Sequence, residues 1–242
     1  MSASERRDSA RTAVVWEALG PILNKQSVEQ PGLDVLDIGG GTGGFAVRVA
    51  GLGHRVTVVD PSPDALAALA RRAREDGAEV TGQQGDLGSL LELAGAASAD
   101  VVLCHGVLEV VDDPAAALAT IREVLRPGGR LSLLVAQRHA AVIARAMAGH
   151  VAQALALLDD PGATGPRAIS RFTADEVTTL LADAGFEIGS VHGIRVFADL
   201  VPGALLDLEP GTTAALLELE RAVSERAEYL PLATQLHVLA SR

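Results

Sequence analysis

The chain has 242 residues, and its 31 acidic side chains against 20 basic ones leave a formal net charge of −11, with Lys25 the single lysine. That balance argues against broad phosphate binding, because nucleic-acid affinity comes largely from Lys and Arg. The single cysteine, Cys104, excludes an intrachain disulfide, no Cys/His spacing suggests a metal site, and no apolar run is long enough to cross a bilayer. With no signal-like N-terminus either, a soluble cytoplasmic protein away from membranes is expected.

Hydrophobic residues make up 48% of the chain and aromatics only 2%, so a core of one α/β domain spanning 1–242 must be built from Ala, Val and Leu. Residues 1–8 are polar and expected to fray, and Arg11 to Leu23 has the spacing of an amphipathic helix. Pro31-Gly32 breaks the chain before a first buried strand at Val35 to Ile38. A helix from near Gly43 follows, then a second strand, Arg55 to Asp60. Pro63 opens a helix that runs to Glu75 and ends at Gly77. A third strand is expected at Glu79 to Gly82, a short helix at Leu87 to Leu93 and a fourth strand at Asp100 to Cys104. Asp113 should cap the next helix, and Arg130 to Ala136 reads as the fifth strand. Beyond it, Ala140 to Leu158 reads as one alanine-rich helix and Gly162 to Pro166 as a loop. Thr173-x-x-Glu176 is a capping box for a helix to Ala184. Glu187 to Phe197 reads as the sixth strand, Thr212 to Glu228 as a helix and Leu236 to Ala240 as the last strand. Segments 1–30 and 138–171 are the candidate lids.

The chemistry concentrates in Val35 to Ala46, VLDIGGGTGGFA. A strand, a glycine-dense turn and a helix start let a ligand approach the backbone and meet free N–H groups. Asp60, at the end of the second strand and followed by Pro61, has the spacing of a carboxylate that accepts ribose hydroxyls. The unit therefore suits an adenosine-containing cofactor. Gly39, Gly41 and Gly44 fit the dinucleotide pattern G-x-G-x-x-G. Asp37 with Gly39, Gly41 and Gly43 fits D-x-G-x-G-x-G, the signature of class I S-adenosylmethionine methyltransferases. A carboxylate at Asp37 suits a cofactor carrying an ammonium and a sulfonium and would repel two phosphates, which favours S-adenosyl-L-methionine over NAD.

Gly85-Asp86-Leu87, Val101 to Glu109 and Val124 to Leu134, with its Pro127-Gly128-Gly129 turn, extend this match. The chain resembles the class I methyltransferases over nearly its whole length. The resemblance implies a doubly wound, seven-stranded, mostly parallel α/β sheet of Rossmann-like type. It also implies that Asp86 and Leu87 lie against the adenine and that His105 lies in the loop under the cofactor. Cys104 to Val111, Gly193 to Phe197, Leu216 to Glu220 and Tyr229 to Ala240 further resemble bacterial tRNA 5-carboxymethoxyuridine methyltransferases. That likeness implies a role for Arg11 at the methionine carboxylate. A basic N-terminal segment and a lysine-rich insert expected in that family are missing here.

Several residues carry two readings. His105 either orients its loop or contacts cofactor or acceptor as a base, and His139 either sits at the pocket mouth or begins a solvated helix. Arg195 interrupts Gly193 to Phe197. Alternation would set Ile194 and Val196 on one face and Arg195 on the other, where it needs an anion, either an internal carboxylate or that of the acceptor. Cys104, Trp16 and His237 read as packing residues. The expected activity is methyl transfer to an oxygen, including a carboxylate oxygen, of a small acceptor. The alternatives are the carboxyl group of a tRNA wobble uridine, or cofactor binding without catalysis. The oligomeric state is left open.

Overall fold

The computed structural model describes residues 3–24, 32–159, 169–206 and 211–242. In chain order the elements are α1 (Ala3–Leu23), β1 (Asp34–Ile38), α2 (Ala46–Ala50), β2 (Arg55–Asp60), α3 (Pro63–Glu75) and β3 (Val80–Gln84). Then come α4 (Leu90–Ala94), β4 (Ala99–His105), α5 (Pro114–Val124), β5 (Leu125–Ala136), α6 (Arg138–Met147) and α7 (Val151–Asp159). The last are α8 (Ala174–Asp183), β6 (Glu187–Ile194), α9 (Gly203–Leu206), α10 (Thr212–Val223) and β7 (Gln235–Ser241). The strands form a seven-stranded sheet in the order β3-β2-β1-β4-β5-β7-β6. β1 pairs in parallel with β2 and β4, and β2 with β3, and Asp37 stands in register with Val58 and Leu103. Strand order reverses between β1 and β4, the place where open α/β sheets leave a crevice for a ligand.

The chain divides into two compact units. One comprises Met1–Leu19, Leu134–Thr178 and Ser190–Val238, and the other Gly20–Leu133, Thr179–Gly189 and Leu239–Arg242. In the second unit, Val35, Leu36, Ile38, Val58, Val59, Val101 to Cys104, Leu131 and Leu133 are buried. Continuous apolar runs are what parallel strands covered on both faces require, and each fully buried Leu or Val contributes about 1.5–3 kcal/mol. At the amino-terminal ends of β1 and β4, Arg126 bridges Asp34 at 2.9 Å and Asp100 at 2.7 Å, and Arg55 adds a 2.6 Å contact to Asp34.

Helix starts follow local chemistry. Ser62 caps α3 by accepting the Ala65 N–H, with Pro63 in the first turn, and Asp113 caps α5 through the Ala116 N–H. The Thr173–Glu176 box closes in both directions, with Thr173 N–H on Glu176 at 2.8 Å and Glu176 N–H on Thr173 at 3.2 Å.

Four expectations need correction. The helix expected over Ala140 to Leu158 is two helices, because Gly149 takes φ +78 between them and ends α6. The sixth strand stops at Ile194, because Arg195 takes φ +58, which no strand accommodates, so the expected alternation of faces does not continue through Phe197. The helix after Gly211 ends at Val223, five residues early, and the first helix reaches back to Ala3 through the polar segment expected to fray. The loop expected at Gly162 to Pro166 lies outside the described residues.

Candidate active site

The glycine turn after β1 is built from positive φ angles, +65 at Gly39, +55 at Gly41 and +79 at Gly43. Space is as restrictive as conformation. A Cβ on Gly39 would come within 2.4 Å of Val107 Cγ2, and one on Gly43 within 2.2 Å of Leu69 Cδ1. A Cβ on Gly40 would meet the Asp37 carboxylate at 2.5 Å. The turn therefore needs glycine in order to pack against its own neighbours, apart from any ligand.

Asp60, 7% exposed at the end of β2, uses both carboxylate oxygens. Oδ2 accepts the Gly41 N–H at 2.9 Å and Oδ1 accepts the Ser62 N–H at 2.9 Å. Each oxygen keeps a second lone pair for a ligand hydroxyl. Asp37 is buried at the end of β1. Asp86 is exposed, and its Oδ1 accepts the Ser89 N–H at 3.1 Å in the turn before α4. His105 ends β4. Its Nε2 hydrogen-bonds Ser132 Oγ at 2.8 Å, and its ring meets Phe45 edge-on with centroids 5.1 Å apart.

A cavity of about 620 Å³ lies along these residues, entirely within the second unit. Gly39, Asp60, Pro61, Asp86, Leu87 and His105 line it. Asp37, Gly41 and Gly43 do not: Gly41 acts through Asp60, and Gly43 through packing on Leu69. Val107 falls in the stretch Val101 to Glu109 already expected under the cofactor, whereas Val110, Ala116 and Thr120, which also line the cavity, were missed, because such loop and helix residues carry no signature until the chain folds. Four carboxylates, Asp60, Asp86, Asp112 and Asp113, line the cavity, and no Lys or Arg does. A dinucleotide would bring two phosphates to these acids without a cation. A cofactor with ribose hydroxyls, an ammonium and a sulfonium fits the donor set.

The other three candidates belong to the first unit. His139 is exposed as the second residue of α6. Arg195 lies just past β6, with Nε 3.3 Å from Asp199 Oδ2, so the internal carboxylate considered for it from sequence is present. Arg11 is in α1, and its side chain lies outside the described residues. Cys104 is fully buried, and its thiol is pushed up to about 12, first by burial and then by the charges of Glu109 and Asp37. Among the described residues no cluster of His, Cys, Asp or Glu could hold a metal ion.

Comparison with known proteins agrees with this geometry. A methyltransferase-domain family pattern matches residues 36–131. A tRNA 5-carboxymethoxyuridine methyltransferase of Escherichia coli is 31% identical over 244 aligned residues, covering 96% of this chain and 88% of the relative. The chain belongs to the class I S-adenosylmethionine-dependent methyltransferases. This methyltransferase is also 31% identical to a ubiquinone biosynthesis O-methyltransferase of Xanthomonas axonopodis pv. citri, over 74% of this chain and 78% of that one. A solved S-adenosylmethionine-dependent methyltransferase from Listeria monocytogenes shares its fold, with TM-score 0.65 at 17% identity over 97% of this chain and 99% of that one. The methyltransferase is an enzyme, its cofactor is S-adenosylmethionine, and among its described residues no helix is long and apolar enough to cross a membrane.

Proposed function

We propose that the enzyme methylates an oxygen of a small acceptor. S-adenosylmethionine, when bound, supplies an electrophilic methyl group on a sulfonium. The chain's own residues then bind and align. The Gly39–Gly43 turn gives the backbone surface, Asp60 takes the ribose hydroxyls on its remaining lone pairs, and Asp86 and Leu87 border the adenine. Asp37 and Arg11 serve the ammonium and carboxylate of the methionine moiety. Holding acceptor and methyl in line accounts for most of the rate in such a transfer. A carboxylate acceptor is ionised at neutral pH and needs no base. A phenolic hydroxyl needs one, and that role is assigned to His105, which lines the cavity and bonds Ser132, with His139 the second candidate. Arg195 is assigned to the acceptor's carboxylate.

The observation that carries the choice of a small acceptor is charge. A net −11, with 31 acidic side chains against 20 basic ones, works against phosphate binding over a broad face. A second reading, tRNA 5-carboxymethoxyuridine as acceptor, is favoured by the 31% identity over 96% of this chain. Incubation with methyl-labelled cofactor separates the two. Label is expected in the small-molecule fraction of a cell extract, and stoichiometric label in tRNA bearing 5-carboxymethoxyuridine would overturn the small-acceptor reading.

A further inference from the structure

His105 closes β4, and Ser132 stands in the neighbouring strand, β5. Around Ser132 the strand is apolar: Leu131, Leu133, Leu134 and Val135 are fully buried, and so is the serine. A hydroxyl in such a place is costly unless it is hydrogen-bonded, and Ser132 Oγ bonds His105 Nε2 at 2.8 Å. The ring is held on a second side by Phe45, the residue just before α2, whose ring meets it at 80°. All three residues belong to the second compact unit, as the cavity does.

The imidazole therefore has an interior end and a cavity end. His105 lines the cavity and Ser132 does not, so Nε2 is turned toward the interior of the sheet. Across the ring, Nδ1 is the nitrogen through which His105 meets a ligand in the cavity. What the serine does decides which nitrogen carries the proton of the neutral ring. A hydroxyl can donate to a bare Nε2 or accept from Nε2–H. A donating serine leaves the proton on Nδ1, where no second one can be taken up. An accepting serine leaves Nδ1 its lone pair. The accepting arrangement also survives charging of the ring, because the imidazolium still donates Nε2–H to the same oxygen.

We propose that Ser132 is a positioning residue that accepts Nε2–H and fixes His105 in the tautomer whose Nδ1 lone pair receives the proton of a hydroxyl acceptor. This rests on the assignment of His105 as base for such an acceptor. The proton leaves the acceptor oxygen for Nδ1. The oxygen keeps the bonding pair and forms the new bond to the methyl carbon, and the pair of the broken sulfur–carbon bond stays on sulfur. The imidazolium later gives its Nδ1 proton to solvent. A base oriented by a third group is the arrangement such proton transfer uses. An ionised carboxylate has no proton to give, so the arrangement serves an acceptor whose methylated oxygen arrives protonated, as a phenol does at neutral pH.

The test uses the full chain, ¹⁵N-labelled at histidine and saturated with S-adenosylhomocysteine. Protonated and bare ring nitrogens resonate far apart, so the spectrum reads the tautomer directly. Above the pH at which the ring titrates, His105 is expected as Nε2–H with Nδ1 bare. Ser132→Ala removes the acceptor and should move the tautomer ratio at least about tenfold toward Nδ1–H, the worth of one hydrogen bond. Ser132→Thr keeps the hydroxyl and should keep the parent ratio. A ring found as Nδ1–H in the parent chain overturns the proposal with no variant needed. So does a ratio that Ser132→Ala leaves unchanged, or one that Ser132→Thr moves as far as alanine does, since the serine would then act through its volume. The spectrum reads the ring alone and the labelled-methyl assay reads the acceptor, so failure here and failure of the small-acceptor reading can be told apart.

Discussion

Asp60 Oδ2 accepts the Gly41 N–H at 2.9 Å across 19 residues of sequence. The carboxylate assigned to the ribose is thus also the anchor of the glycine turn. Asp60→Ala removes a bond to a charged acceptor, worth roughly 1.5–3 kcal/mol, and leaves the Gly41 and Ser62 N–H groups without it. Calorimetry with S-adenosylhomocysteine should show at least tenfold weaker binding, together with a lower melting temperature. Asp60→Asn, which retains one carbonyl oxygen, should fall between the two.

Gly43→Ala should destabilise without touching the cavity. It forces a Cβ to within 2.2 Å of Leu69 Cδ1 at φ +79, a combination of overpacking and backbone strain costing about 2–4 kcal/mol. Urea unfolding should show a lower midpoint. Gly77→Ala, at φ +64 and with open space around the added Cβ, should cost only about 1 kcal/mol.

His54 ties the end of α1 to the start of β1. Its Nδ1 accepts the Leu33 N–H at 3.1 Å, and its Nε2 bonds the Leu23 carbonyl at 2.9 Å, which together require the neutral ring. Burial holds its pKa below the usual histidine value of 6.5. A depressed folded pKa means that the unfolded chain takes up the proton first. Stability from this group is therefore present above pH 6.5 and is lost as pH falls below it. Melting temperature against pH should decline below pH 6.5, and His54→Asn should flatten that decline. An unchanged slope in the variant would place the acid sensitivity elsewhere.

Cys104 should be inert while the protein is folded. With the thiol at about 12, on the order of one in ten thousand is ionised at pH 8, and the side chain is fully buried. Iodoacetamide should label it only in denaturant, with mass spectrometry as the readout.

Arg126 joins Asp34 and Asp100 in a partly exposed network. The hydrogen bond from Arg55 foremost, then that from Arg126, holds the Asp34 carboxyl below its ordinary value. Its contribution is present above about pH 3.8 and lost as pH falls through the lowered value. Arg126→Met should cost about 0.5–1 kcal/mol at low salt and less at 1 M salt, because exposed pairs are screened.

The sequence by itself marked the candidate residues that are local in the chain. Asp37 to Gly43 and Asp60 announce themselves because a tight turn between strand and helix admits few residues, and alternation and capping place β2, α3 and α5 within a residue or two. What only the tertiary structure decided depends on groups distant in sequence. Arg195 read as a strand residue because the apolar letters around it continue. The bonds that turn the backbone out of the strand come from Glu220 and Thr234, 25 and 39 positions away, and no local pattern records them. Glu220 sits between Leu216 and Val223 on a helix face that should be apolar, which marks it as buried but not what it holds. Likewise His54 and Ser132 are ordinary letters in their own segments. Each acquires a role only when folding brings a backbone group or an imidazole to within about 3 Å, because hydrogen bonds are specified by position in space and hydrophobic periodicity only by position along the chain.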